Sequence, residues 1–134
     1  MHLTNQILAP KENFVDFIKN YPSQTPLVMV NILKFKDQTE DGRTGEEAYN
    51  TYSKHVTPLL EKVGGKAIWA GDVKKTIIGD YANQPDRFLV VYYPSKEAFI
   101  EMSTSEEYAA IGHHRHSSLE YGALIATESI GGVK

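Results

Sequence analysis

The sequence predicts an α+β protein with the element order β-α-β-β-α-β, in which both helices lie on one face of an antiparallel sheet, plus a helical extension ahead of it. Three observations carry this. Segments with apolar residues at helical spacing alternate with short β-branched and aromatic runs, T-x-x-E and Ser caps precede the helical segments, and Gly, Pro and Asn punctuate the junctions.

In order, Phe14, Phe17, Ile18 and Tyr21 fall at i, i+3, i+4 and i+7, so Lys11 to Asn20 reads as a short amphipathic helix begun by Pro10. Residues 1–25 are expected to form a helical extension and residues 26–134 the main domain. Leu27 to Lys36, LVMVNILKFK, has the β-branched content of a strand, and the polar run Asp37 to Thr44 is a loop. Thr44 with Glu47 makes a capping box, and Ala48, Tyr49, Tyr52, Val56, Leu59, Leu60 and Val63 keep helical spacing until Gly64 and Gly65 stop it, with a kink expected at Pro58. Lys66 to Gly79 reads as a strand bending near Gly71 and Asp72. Turn residues Asn83 to Asp86 lead into Arg87 to Tyr93, RFLVVYY, a strand antiparallel to it. Ser95 caps a helix bearing Ala98, Phe99 and Met102; Thr104 and Glu107 predict a second capping box opening a segment with Tyr108 and Ile111; and Leu119 to Thr127 closes the set as a strand. This split βαβ order is the ferredoxin-like pattern.

Composition narrows the functions. At 134 residues the chain is one domain's length, and 14 Lys and Arg against 17 Asp and Glu, scattered without a basic stripe, argue against nucleic acid as a partner. The absence of cysteine excludes disulfides, thiolate metal sites and Cys nucleophiles. No basic start precedes an apolar run in MHLTNQILAPKE, and no apolar stretch reaches membrane-spanning length. The expectation is a cytoplasmic protein that does not enter a membrane.

The strands are apolar on both sides. Val28, Val30 and Ile32 alternate with Leu27, Met29, Leu33 and Phe35, and Phe88, Val90 and Tyr92 with Leu89, Val91 and Tyr93. Helices on one face leave the other to be covered, and the remaining chain is too short to form another layer, so a homodimer packed sheet against sheet is expected.

VMVNILKF at Val28 to Phe35, AYNTYSKHVTPLLEKVGGK from Ala48 to Lys66, YPSKEAFIEM from Tyr93 to Met102 and EYAAIGHHRHSSLEYGALIAT from Glu107 to Thr127 together resemble the domain of unknown function 1330 family, in the dimeric α+β barrel superfamily. The likeness spans Pro26 to Thr127. It implies a ferredoxin-like protomer whose sheet pairs with a partner's into a barrel, with one pocket per protomer and no established reaction. Relatives across the superfamily include cofactor-free monooxygenases, lactone isomerases and haem-containing chlorite dismutases. Where family members carry a polar residue in the last strand, this chain has Tyr121, Gly122 and Ala123.

His114 and Arg115 match the family's His-Arg block and are the candidate catalytic pair. A neutral imidazole can take a proton near neutrality, and a guanidinium can hold a carboxylate or a developing enolate oxygen. The structural alternative is that His114 caps a helix C-terminus and Arg115 ties down Glu106 or Glu107. Asn31, the lone amide among Leu27, Met29, Leu33 and Phe35, either contacts a ligand or bonds a neighbour. Tyr49, Tyr52 and Trp69 are candidate substrate-binding walls, or else core. Glu120 either orients His114 or Arg115 or pairs with Lys66.

No cofactor and no metal are expected. His113 and His116 share a helical spacing, but Arg115 between them repels a cation, and haem through these histidines, a remote alternative, needs a larger cavity than the chain promises. DQTEDG, Asp37 to Gly42, echoes a calcium loop but has Thr39 at the third position and Ala48 at the twelfth. Gly64-Gly65 is a helix stop, and Gly131-Gly132 a frayed tail. Two functions follow: a cofactor-independent enzyme acting on a small carbonyl or carboxylate metabolite, with His114 as general base, Arg115 as anion clamp and Asn31 as orienting contact, or a non-enzymatic ligand-binding or stress-related protein.

Overall fold

The computed structural model describes residues 10–131; of the expected extension and tail, residues 1–9 and Gly132 lie outside the described residues. Strands β1 (Leu27–Phe35), β2 (Lys66–Asp72), β3 (Arg87–Tyr93) and β4 (Leu119–Thr127) make one antiparallel sheet in the order β2-β3-β1-β4, the ferredoxin-like arrangement. Helices α2 (Gly45–Lys62), α3 (Lys96–Ser103) and α4 (Glu106–Ser118) supply the partners of one sheet face. That face presents Leu27 and Met29 of β1 and Val91 and Tyr93 of β3 to Leu60 of α2 and to Phe99 and Met102 of α3, and Leu33 of β1 to Tyr49 and Tyr52 of α2. None of the helices is long and apolar enough to cross a membrane, among the described residues.

Helix α1 (Lys11–Asn20) docks beside α3. The Phe17 ring meets Phe99 edge-on at 5.7 Å, and the buried Lys96 ammonium donates to the Ile18 and Tyr21 carbonyls, which the helix itself leaves unbonded. The capping box is present at Thr44 and Glu47, and α2 runs unbroken through Pro58. It ends at Lys62 with Val63 as its cap, and Gly64 just beyond has a φ of +84° that suits glycine.

Two sequence expectations need correction. The second strand ends at Asp72 rather than Gly79, because Asp72 already faces the first residue of β3. Only Val73 continues, donating to Asp86, and the chain opposite contains Pro85, which has no N–H to pair. The loop beyond holds itself by side chains instead, Gln84 accepting from both the amide and hydroxyl of Thr76. The second correction concerns the cap of α4, which is Ser105, not Thr104. The Ser105 hydroxyl accepts the Tyr108 amide, whereas Thr104 closes α3 and donates its hydroxyl to Ile100.

Among the described residues no helix covers the second sheet face. Its central row, Trp69, Val90, Val30 and Ile125, runs across all four strands, with Trp69 58% and Ile125 40% exposed. At one end the Tyr121 hydroxyl donates to the Asn83 carbonyl and so holds the 73–86 loop to β4.

Candidate functional site: a tyrosine-lined cavity

A cavity of about 130 Å³ lies between α2, α3, α4 and the helix-bearing face of the sheet. Helical period puts its polar groups in place. On α4, Tyr108 and Arg115 are seven residues apart and so share a face, and Gly112 between them leaves room for the Tyr108 ring: a Cβ there would stand 3.1 Å from its Cε1. On α2, Tyr49 and Tyr52 at i, i+3 point the same way, their rings 5.4 Å apart. Asn31 enters from β1.

Arg115 is only 8% exposed. Its Nη2 donates to the Asn31 side-chain oxygen at 3.3 Å, while the Asn31 amide donates to the Leu89 carbonyl at 3.4 Å, so Asn31 both lines the cavity and bonds its neighbours. Gly122 completes the seat, since a Cβ at that position would lie 2.8 Å from Leu119 Cδ1 and 3.5 Å from Arg115 Nη2. Among the described residues no carboxylate stands within ion-pairing distance of this guanidinium. Glu107, one of its two expected partners, pairs with Lys62 instead. A guanidinium stays charged in a protein, and a buried charge without a counter-ion is costly.

The hydroxyls of Tyr52 and Tyr108 are 2.9 Å apart, with the rings edge to face. Burial pushes the Tyr52, Tyr49 and Tyr93 hydroxyls above the ordinary tyrosine range, with the Arg115 cation pulling the other way, so these phenols stay protonated. Tyr108 was absent from the sequence candidates. Its signal was the seven-residue step to Arg115.

The other candidates go elsewhere. His114 adjoins Arg115 in sequence but points about 100° around the helix, where its ring stacks on His55 at 5.9 Å and lies tilted against His113 at 4.0 Å, and it is not among the cavity's lining residues. Its Nδ1 is buried without a hydrogen-bond partner among the described residues. Desolvation, then His113, Arg43 and His55, lower its pKa. It does not cap the helix, which continues to Ser118. Trp69 is not a cavity wall: a bulge between Ala67 and Trp69 shifts the register of β2, leaving Ala67 on the cavity side and turning Trp69 to the open face. Glu120 is exposed and outside the lining. Among the described residues no three His, Cys, Asp or Glu side chains are grouped to hold a metal.

A larger open cleft of about 360 Å³ beside Arg87 is charge-balanced already, because Arg87 contacts Glu46 at 2.7 Å and Asp72 at 2.6 Å. Cavity and cleft thus differ in whether their arginine is neutralised.

A family model described as domain of unknown function (DUF1330) matches residues 42–129. Among solved structures, a protein of unknown function from Rhodopseudomonas palustris is 30% identical over 96% of this chain and 100% of that one, with a TM-score of 0.90. The hydroxynitrile lyase of Passiflora edulis is 9% identical over 83% of this chain and 99% of that one, at a TM-score of 0.61. A dabb family protein with a ferredoxin-like fold from Mesorhizobium loti is 10% identical over 81% and 100%, at 0.55. The last two are likenesses of fold. No curated protein matches.

Proposed function

The chain belongs to the family of domains of unknown function DUF1330, and on that premise we propose that it is a small-molecule-binding protein whose ligand occupies the cavity between α2, α3, α4 and the sheet. The observation that carries this reading is Arg115, a buried cation facing that cavity with the Asn31 amide and the Tyr49 hydroxyl beside it and, among the described residues, no carboxylate as partner. The site is concave, mostly aromatic and apolar, with few polar groups, the ordinary make-up of a ligand pocket. The protomer is proposed to work as a homodimer, its helix-free face closed by a second copy. The row of Trp69, Val90, Val30 and Ile125 supports this, because an apolar stripe across a whole sheet is unstable in water.

Binding is the function favoured over proton abstraction. His114, the base expected from sequence, stands on another side of α4, so a ligand in the cavity meets Arg115 without it. The test is a thermal-shift screen of small fragments against the wild type and Ser53→Trp, which fills the cavity's α2 wall with an indole. Fragments that stabilise the wild type and lose that effect in the variant support the reading. Absence of any stabilising fragment, or equal stabilisation of both proteins, overturns it.

A further inference from the structure

The cavity's polar groups are biased toward donation. Arg115 has donors only. The Asn31 side chain has committed its oxygen to Arg115 and an N–H to the Leu89 carbonyl. In the Tyr52 and Tyr108 pair one hydroxyl gives its proton to the other, so the accepting hydroxyl keeps a proton of its own to offer. Among the described residues no acidic side chain lines the cavity to compete for these donors. Resting on the proposed function, we infer that the ligand is a compact, flat monocarboxylate of the benzoate kind, with its carboxylate on Arg115 and the free tyrosine proton and its ring among Tyr49, Tyr52 and Tyr93.

Each part of that class has a separate cause. The negative charge answers the uncompensated guanidinium, since taking one partner of a buried ion pair away leaves the other uncompensated and a ligand carboxylate restores it. The flat body answers the aromatic walls, where Tyr49 and Tyr52 are tilted at 50° and Tyr52 and Tyr108 stand at 90°. The size answers the volume: an apolar cavity of about 150 Å³ takes up benzene, and this one, at about 130 Å³, has room for one ring and not for two. The single charge follows because Arg115 is the one cationic group lining the cavity among the described residues.

The experiment is calorimetric titration with benzoate, the smaller 2-furoate, the neutral isostere benzamide and the two-ring 2-naphthoate. The proteins are the wild type, Arg115→Met and Asn31→Asp, the last keeping the guanidinium but giving it an internal counter-ion. The expected result is that benzoate or furoate binds the wild type about tenfold more tightly than benzamide. That preference disappears in Arg115→Met, both carboxylates are lost in Asn31→Asp, and naphthoate fails throughout. Benzamide binding as tightly as benzoate overturns the inference, as does benzoate binding that neither variant changes, or naphthoate binding as well as benzoate. If neither carboxylate binds while neutral fragments stabilise the wild type and not Ser53→Trp, this inference falls and the pocket stands; if nothing binds at all, both fall. Should Arg115→Met fail to fold, Asn31→Asp and the benzoate-to-benzamide ratio in the wild type still decide.

Discussion

The Arg115 guanidinium and the Asn31 side-chain oxygen meet at 3.3 Å, joining the last helix to the middle of the sheet across 84 residues of chain. A charged donor bonded to a neutral acceptor in a buried place should be energetically coupled to it. Asn31→Leu removes the acceptor, strands the cation and is expected to cost about 2 kcal/mol. Adding Arg115→Met to that variant removes the stranded charge and should recover most of the loss. Urea denaturation of the two single variants and the double variant checks this, and strictly additive losses would contradict the coupling.

Gly45, the first residue of α2, packs against the chain just past the end of β1 and just before the start of β4. A Cβ there would stand 2.3 Å from the Lys36 carbonyl oxygen and 2.6 Å from that of Ser118, both backbone atoms with no rotamer to yield. The same spot holds the bonds Gly45 to Lys36 and Lys36 to Ser118, each 2.9 Å. Gly45→Ala is expected to destabilise the fold by about 3 kcal/mol, read from the urea midpoint.

The pKa of His114 is lowered in the folded protein, first by desolvation and then by its histidine neighbours and Arg43. The unfolded chain therefore binds this proton more readily, so the contribution of neutral His114 is present above the ordinary histidine pKa and is lost as pH falls through and below it. His114→Gln should flatten the decline in melting temperature between about pH 7 and pH 5 relative to the wild type. A parallel pair of curves would show that His114 does not carry it.

Ile125 lies at the β4 end of the helix-free row and is 40% exposed in the protomer. Ile125→Lys places an ammonium where a second copy is proposed to pack and costs the isolated protomer little. Light scattering should show the variant as a folded monomer where the wild type is a dimer. A wild-type monomer, or a dimer indifferent to the lysine, would rule out this face as the interface.

Much of the architecture was readable from local chemistry. The Thr44 and Glu47 box, the Gly64 stop and the Ser95 cap each act within one helical turn, so a few letters suffice to place them. The end of β2 was not readable in that way, because it depends on where β3 begins to pair. Nor was the choice between adjacent hydroxyls at Thr104 and Ser105, which turns on which one meets the Tyr108 amide. At the site, Asn31 was visible as the lone amide among apolar neighbours, and Arg115 through its match to the family's His-Arg block. His114 looked like a partner of Arg115 because they are consecutive, yet consecutive helical residues diverge. Trp69 was misplaced because a single bulge inverts the alternation of a strand.

The order β2-β3-β1-β4 also governs how the chain is made. β1 pairs on one side with β3 and on the other with β4, and the Thr127 hydroxyl bonds the Val28 carbonyl 99 residues away. A topology so dominated by distant pairings folds slowly for its size. The hydrophobic strand Leu27–Phe35 therefore leaves the ribosome well before β3 and β4 are made and waits longest for β4, which makes this segment the one a chaperone would shelter and the one from which aggregates would grow.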